Sequence, residues 1–168
     1  MGRRGVILVS LSLCIISSHA LADVVWPALL LETRMLTWWA IGLGLLIEFL
    51  VVRWLFALTL QRAAIATLVA NAASTVLGVL LLPIAGFAWE FFPGSIYMLL
   101  LHWGTFNPIT WAATFLLACL VNTVVEAFIY KHVFTLRVRW REFFWVCVAN
   151  ALSIAVAFAS LFAAPPEL

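Results

Sequence analysis

Beyond residue 36 the polar residues fall into short clusters that separate long apolar stretches, Thr37 to Leu58, Ala63 to Ala85, Pro108 to Tyr130 and Phe143 to Phe162. Each stretch holds about 20 residues or more, enough at about 1.5 Å per residue to cross a hydrocarbon core of about 30 Å. The pattern predicts an all-α fold, an integral membrane four-helix bundle with spans near 37–58, 63–85, 108–130 and 143–162. A different pattern opens the chain. Arg3 and Arg4 precede an apolar run from Val6 to Ile16, and Ser17, Ser18 and Ala20-Leu21-Ala22 follow before Asp23. That three-part layout predicts a cleaved signal peptide over 1–22 and a membrane domain over 23–168.

Composition strengthens the membrane reading. Of 168 residues, 67% are hydrophobic and 10% charged, against about 45–50% and about 25% in a soluble domain. Cys14, Cys119 and Cys147 all sit inside apolar runs. No disulfide framework follows, and thiol oxidoreductases that need surface cysteine pairs are excluded. A net charge of +2 is too small to indicate nucleic acid.

Where the charges fall is more informative than their sum. Arg53, Arg62, Lys131, Arg137, Arg139 and Arg141 flank the connections near Gln61 and between Lys131 and Arg141, whereas Asp23, Glu32, Glu90 and Glu167 fall on the other side beside Arg34. The bias places the basic anchors in the cytoplasm. It predicts a bacterial inner-membrane protein whose mature N-terminus and C-terminus are both periplasmic. Trp26, Trp38, Trp39, Trp89, Trp103 and Trp111 then form an outer aromatic belt, and Trp54, Trp140 and Trp145 an inner one. Asn107 is expected to cap the third span with Pro108 at its first position, and Pro83 and Gly86 to close the second. The outer connection 87–107 is longer than usual, and Ser95 is expected to cap a short interfacial or re-entrant helix there.

The two halves align. Glu48 lies five residues before Arg53 and Glu126 five before Lys131; Arg62 lies nine before Asn71 and Arg141 nine before Asn150. Ala70-Asn71-Ala72-x-Ser74 is mirrored by Ala149-Asn150-Ala151-x-Ser153. Matched polar residues at matched depths predict two out-in-out helical hairpins arranged as a parallel repeat. About 17 Å of helix separates Glu48 and Asn71 from a bend near Leu60, so they stand level and can meet across the hairpin. Glu126 and Asn150 are level in the second hairpin. Ser74 and Ser153 follow three residues later on the same helical faces as the asparagines, and Asn122 shares the face of Glu126 one turn earlier. Arg53 is rotated about 140° from Glu48 on its helix and is expected to reach the headgroups instead.

An acid at mid-membrane costs about 2.5–3.5 kcal/mol on insertion scales, so Glu48 and Glu126 need a proton, a partner or a water-filled cavity. Interhelical hydrogen bonds return only about 0.6 kcal/mol each on average. Two function classes follow. One is a non-enzymatic integral subunit or scaffold that contacts membrane-protein partners through helix faces and the aromatic outer connection. The other is a small cation- or proton-coupled carrier or channel using Glu48 and Glu126, for which so thin a bundle implies a homodimer. Enzymatic chemistry is not expected. His102 and His132 fall on opposite sides, too far apart to share a haem iron, and Ser74 and Ser153 have no base at their depth. No spacing supports a metal site at Glu32, Glu90 and His102, and no cofactor is implied.

Overall fold

A computed structural model describes residues 27–102 and 107–163. The expected signal peptide 1–22, Cys14, Trp26, Trp103 and residues 164–168 lie outside the described residues. Every regular element among the described residues is helical: α1 (27–35), α2 (Trp38–Leu55), α3 (Leu60–Trp89), a wide turn over Glu90–Gly94, α4 (Ser95–Leu101), α5 (Pro108–His132) and α6 (Trp140–Ala163). Four stretches, Trp38–Phe56, Leu60–Leu101, Pro108–His132 and Trp140–Leu161, are long and apolar enough to cross a membrane. Helix α2 packs on α3, α3 on α5, α5 on α6 and α6 back on α2, closing a four-helix ring whose broadest contacts are α3 with α5 and α2 with α6.

Burial is distributed as lipid requires. Leu46, Leu80, Leu116 and Leu152 are all more than half exposed, while Ala63, Ala66 and Ala70 on α3 are fully enclosed and Glu48, Glu126, Thr123 and Asn150 are buried. Large apolar side chains face outward and small or polar ones line the helix contacts, the arrangement expected when the surrounding solvent is hydrocarbon. These observations make the chain a multi-pass membrane protein.

The helix ends follow local chemistry. Asn107 accepts the Thr110 amide at 2.9 Å with Pro108 opening α5, as the sequence predicts. Thr59 accepts the Arg62 amide at the start of α3. Helix α6 begins at Trp140, a turn earlier than Phe143, because Glu142 reaches back to accept the Arg139 amide at 2.9 Å. The α2–α3 turn places Ala57 in the left-handed region (φ 49°), and the Leu58 amide returns to the Arg53 carbonyl at 3.2 Å.

Two expectations about the other end are corrected. Helix α3 does not close at Pro83 and Gly86 but continues through both to Trp89, about 45 Å in all. Membrane helices tolerate an internal proline, and Gly86 is a packing position: a Cβ there would touch Ala28 of α1 at 3.5 Å. The break comes at Phe92, extended before Pro93. Ser95 does not cap α4; it is the first helical residue and its hydroxyl donates to the Phe91 carbonyl at 2.9 Å. The segment before Thr37 is itself a helix, α1. Its Ala28 and Leu31 are buried against α3, α5 and α6.

Candidate functional site

The centre of the ring is polar, and it is built in levels. At the middle level α2 supplies Glu48, α3 Asn71, α5 Glu126 and α6 Asn150. The Asn71 amide donates to Glu48 Oε2 and, through its other hydrogen, to the Thr67 carbonyl one turn back on α3. Asn150 does the same, donating to Glu126 Oε2 at 2.8 Å and to the Val146 carbonyl at 3.2 Å. Each asparagine is thereby locked to its own helix and presents one N–H to the acid of the adjacent helix.

The serines were expected on the asparagine faces, and the structure shows what they do. Each crosses to the other hairpin. Ser74 Oγ lies 3.3 Å from Glu126 Oε1, and Ser153 hydrogen bonds with Glu48. Three residues advance about 300° around a helix, which turns the serine from its own hairpin toward the neighbouring one. The Ser74 hydroxyl has a second acceptor, the Asn71 carbonyl at 3.1 Å. With its hydrogen on that carbonyl, Ser74 Oγ can accept a carboxylic O–H from Glu126; with its hydrogen turned, it donates to a carboxylate. The two carboxyl groups interact electrostatically with each other, and among the described residues no basic side chain pairs with either. Both are buried, Glu48 being 3% and Glu126 1% exposed.

Away from the basic end the next level is open. A cavity of about 440 Å³ runs between α2 and α3, with Glu32 among the residues at one end and Glu48 and Asn71 at the other. Glycines make the room. Gly44 faces Ser153 so closely that a Cβ would collide with its hydroxyl, and Gly78 faces the Asn122 side chain at 3.8 Å from the position of a Cβ. Asn122 thus stands on the cavity wall, a half-buried amide beside the cluster rather than a partner of Glu126. Partial burial pushes the Glu32 carboxyl above its ordinary value.

The basic anchors gather at the opposite end. Arg53, Lys131, Arg137, Arg139 and Arg141 are exposed there, and Arg62 donates to the Phe134 carbonyl at 3.2 Å, tying the two connections at that end together. Arg141 pairs with Glu142 at 3.2 Å. Trp54 and Trp145 meet edge to face at 5.5 Å, and Trp140 stacks on Phe143.

Two buried polar residues at the next level toward the basic end are not singled out by the repeat pattern. Thr67 and Tyr130 lie one turn from Asn71 and Glu126 toward the basic end, 2% and 0% exposed. Their positions in the other half hold Val146 and Val52. A mismatch in an otherwise matched pattern was the available signal. Comparison of the chain with protein-family models, with curated proteins and with solved structures gives no match.

Proposed function

We propose that this chain is a small proton- or cation-coupled carrier or channel of the bacterial inner membrane, formed from two copies of an out-in-out hairpin and acting as a homodimer. One observation carries the reading. Two acids share the bundle centre with no basic partner among the described residues, and the Ser74 hydroxyl beside Glu126 can serve either protonation state. A purely structural cluster gains nothing from accommodating both states. A site that loads and unloads a proton or cation requires it. The cavity reaching Glu48 supplies an approach from one side, and the matched asparagine bonds support the duplication. The orientation rests on the basic residues at one end, with both mature termini periplasmic after removal of the signal peptide. The reading calls for no catalytic residue, cofactor or resident metal.

The test is flux in proteoliposomes under an imposed proton or cation gradient. Glu48→Gln and Glu126→Gln keep size and hydrogen-bonding capacity but cannot release a proton or hold a cation strongly. Wild-type flux that falls to background in the double variant, with folding retained, is the expected result. Wild-type vesicles without flux for protons or common cations reject the reading.

The outer segment favours a second reading, an integral subunit or scaffold. Phe91, Phe92, Leu99 and Leu100 are 67–78% exposed, and no residue of α4 is buried. Such a face suits a membrane-protein partner as well as the bilayer interface. A partner that co-purifies in mild detergent and is lost on replacing Phe91 and Leu99 by Ser supports this reading; unchanged co-purification counts against it.

A further inference from the structure

Across the ring, the level one turn nearer the basic end consists of Val52, Thr67, Tyr130 and Val146, all buried. It divides in two. Where α2 meets α6 it is Val52 and Val146, which share one hydrophobic cluster with the Tyr130 ring. Where α3 meets α5 it is Thr67 and Tyr130. The Tyr130 phenol faces the Thr67 hydroxyl and lies within electrostatic reach of Glu126 and Glu48. Yet Thr67 Oγ1, Tyr130 Oη and Asn150 Oδ1 are buried with no hydrogen-bond partner of normal geometry among the described residues. Buried polar atoms in native proteins are bonded to protein or to ordered water, and a buried water takes about three such partners. Asn150 bonds Glu126 through its amide nitrogen, and the Tyr130 phenol lies within electrostatic reach of the same carboxyl group.

Their position leads outward. Only two residues of α5 follow Tyr130, about 3 Å of helix, before the connection to α6. That connection folds back over Tyr130, with the Leu136 amide on the Tyr130 carbonyl at 2.9 Å and Arg62 on the Phe134 carbonyl. The cavity approaches Glu48 from the opposite side. The acid pair is thus flanked by an open cleft on one side and by the buried Tyr130 and Thr67 hydroxyls on the other.

We infer that Glu126 exchanges protons with the basic end of the bundle through a water-bridged relay made by Tyr130 and Thr67, so that the species handled by the acid pair is the proton. The inference rests on the carrier or channel reading above and names its substrate. Two hydroxyls and a bridging water pass a proton by hydrogen-bond exchange and give a metal cation too few oxygen ligands to shed its water. In each transfer Glu126 releases its proton to the bridging water, and the phenol oxygen accepts one hydrogen as it gives up its own on the other side. Tyr130 ends each transfer unchanged, and no oxidant or reductant takes part.

The experiment is proton uptake into proteoliposomes loaded with a pH-sensitive dye, with sodium and potassium flux measured in parallel. Tyr130→Phe keeps the ring and removes only the hydroxyl; Thr67→Val keeps the shape of its side chain. Each is expected to lower proton flux at least tenfold while its thermal transition in detergent stays at the wild-type value. If Tyr130→Phe does not fold, Thr67→Val decides alone. Wild-type proton flux unchanged by the variants overturns the relay and leaves the carrier or channel reading in place. Wild-type flux of sodium or potassium without protons overturns the choice of substrate, and no flux of any of the three overturns the underlying reading.

Discussion

At the scale of single residues, the structure separates groups that look alike in sequence. Asn71 and Asn150 make the same pair of hydrogen bonds, but Asn71 borders the cavity and is half-buried whereas Asn150 is fully enclosed. The cavity gives water ready access to replace the lost amide beside Glu48, whereas the enclosed position of Asn150 gives far less beside Glu126. Asn150→Leu is therefore expected to cost about 1–3 kcal/mol of stability and Asn71→Leu less, measured by thermal melting in detergent; equal losses would contradict the placement of the cavity. Two glycines offer a sharper contrast. A Cβ at Gly42 meets nothing within 4 Å, whereas one at Gly44 collides with the Ser153 hydroxyl that serves Glu48. Gly42→Ala is expected to raise stability by up to about 1 kcal/mol through helix propensity. Gly44→Ala is expected to lower it by about 1–3 kcal/mol through overpacking.

Level pairing of Glu48 with Asn71 and of Glu126 with Asn150 was readable because helix rise is fixed and each bend was marked by polar residues. The crossing of Ser74 and Ser153 was not. Sequence spacing gives the direction of a side chain around its own helix, but which neighbour occupies that direction depends on the order of helices in the ring. Tyr130 and Thr67 carry no mark from the repeat, because their counterparts in the other half are Val52 and Val146.

Among the elements, the four apolar stretches emerged from hydrophobic run length alone, since a bilayer sets the length a span must reach. Their ends were less legible. Proline and glycine in α3 resembled a stop signal learned from soluble helices, while in this bundle Gly86 makes room for Ala28 and the helix runs on. Helix α1 carries a weaker signal, because its apolar face is only a few residues long. The connections at the basic end carry a testable cost: Ala57 and Thr135 hold left-handed backbone with φ of 49° and 54°. Glycine relieves the side-chain clash there but adds freedom to the unfolded chain. Ala57→Gly is expected to give a net gain of about 0.5–1 kcal/mol, read as a higher midpoint of thermal unfolding. A lower midpoint would contradict the turn geometry.

For the whole molecule, the central claim is that a ring of four apolar helices holds an acid pair that exchanges protons. The basic connections at one end set its orientation: a reporter placed within 133–139 is expected to behave as cytoplasmic and one within 95–102 as periplasmic. The reverse pattern would exchange the sides that the cavity and Tyr130 face, without altering the pair itself. That pair is most directly examined by infrared difference spectroscopy of the protein in membranes, following the carbonyl stretch of protonated carboxyl groups as the external pH is stepped. The account predicts a pH-dependent carboxyl band in the wild type that changes in Glu48→Gln, changes in Glu126→Gln and disappears when both are replaced. A wild-type spectrum in which no band belonging to Glu48 or Glu126 responds to pH would contradict it.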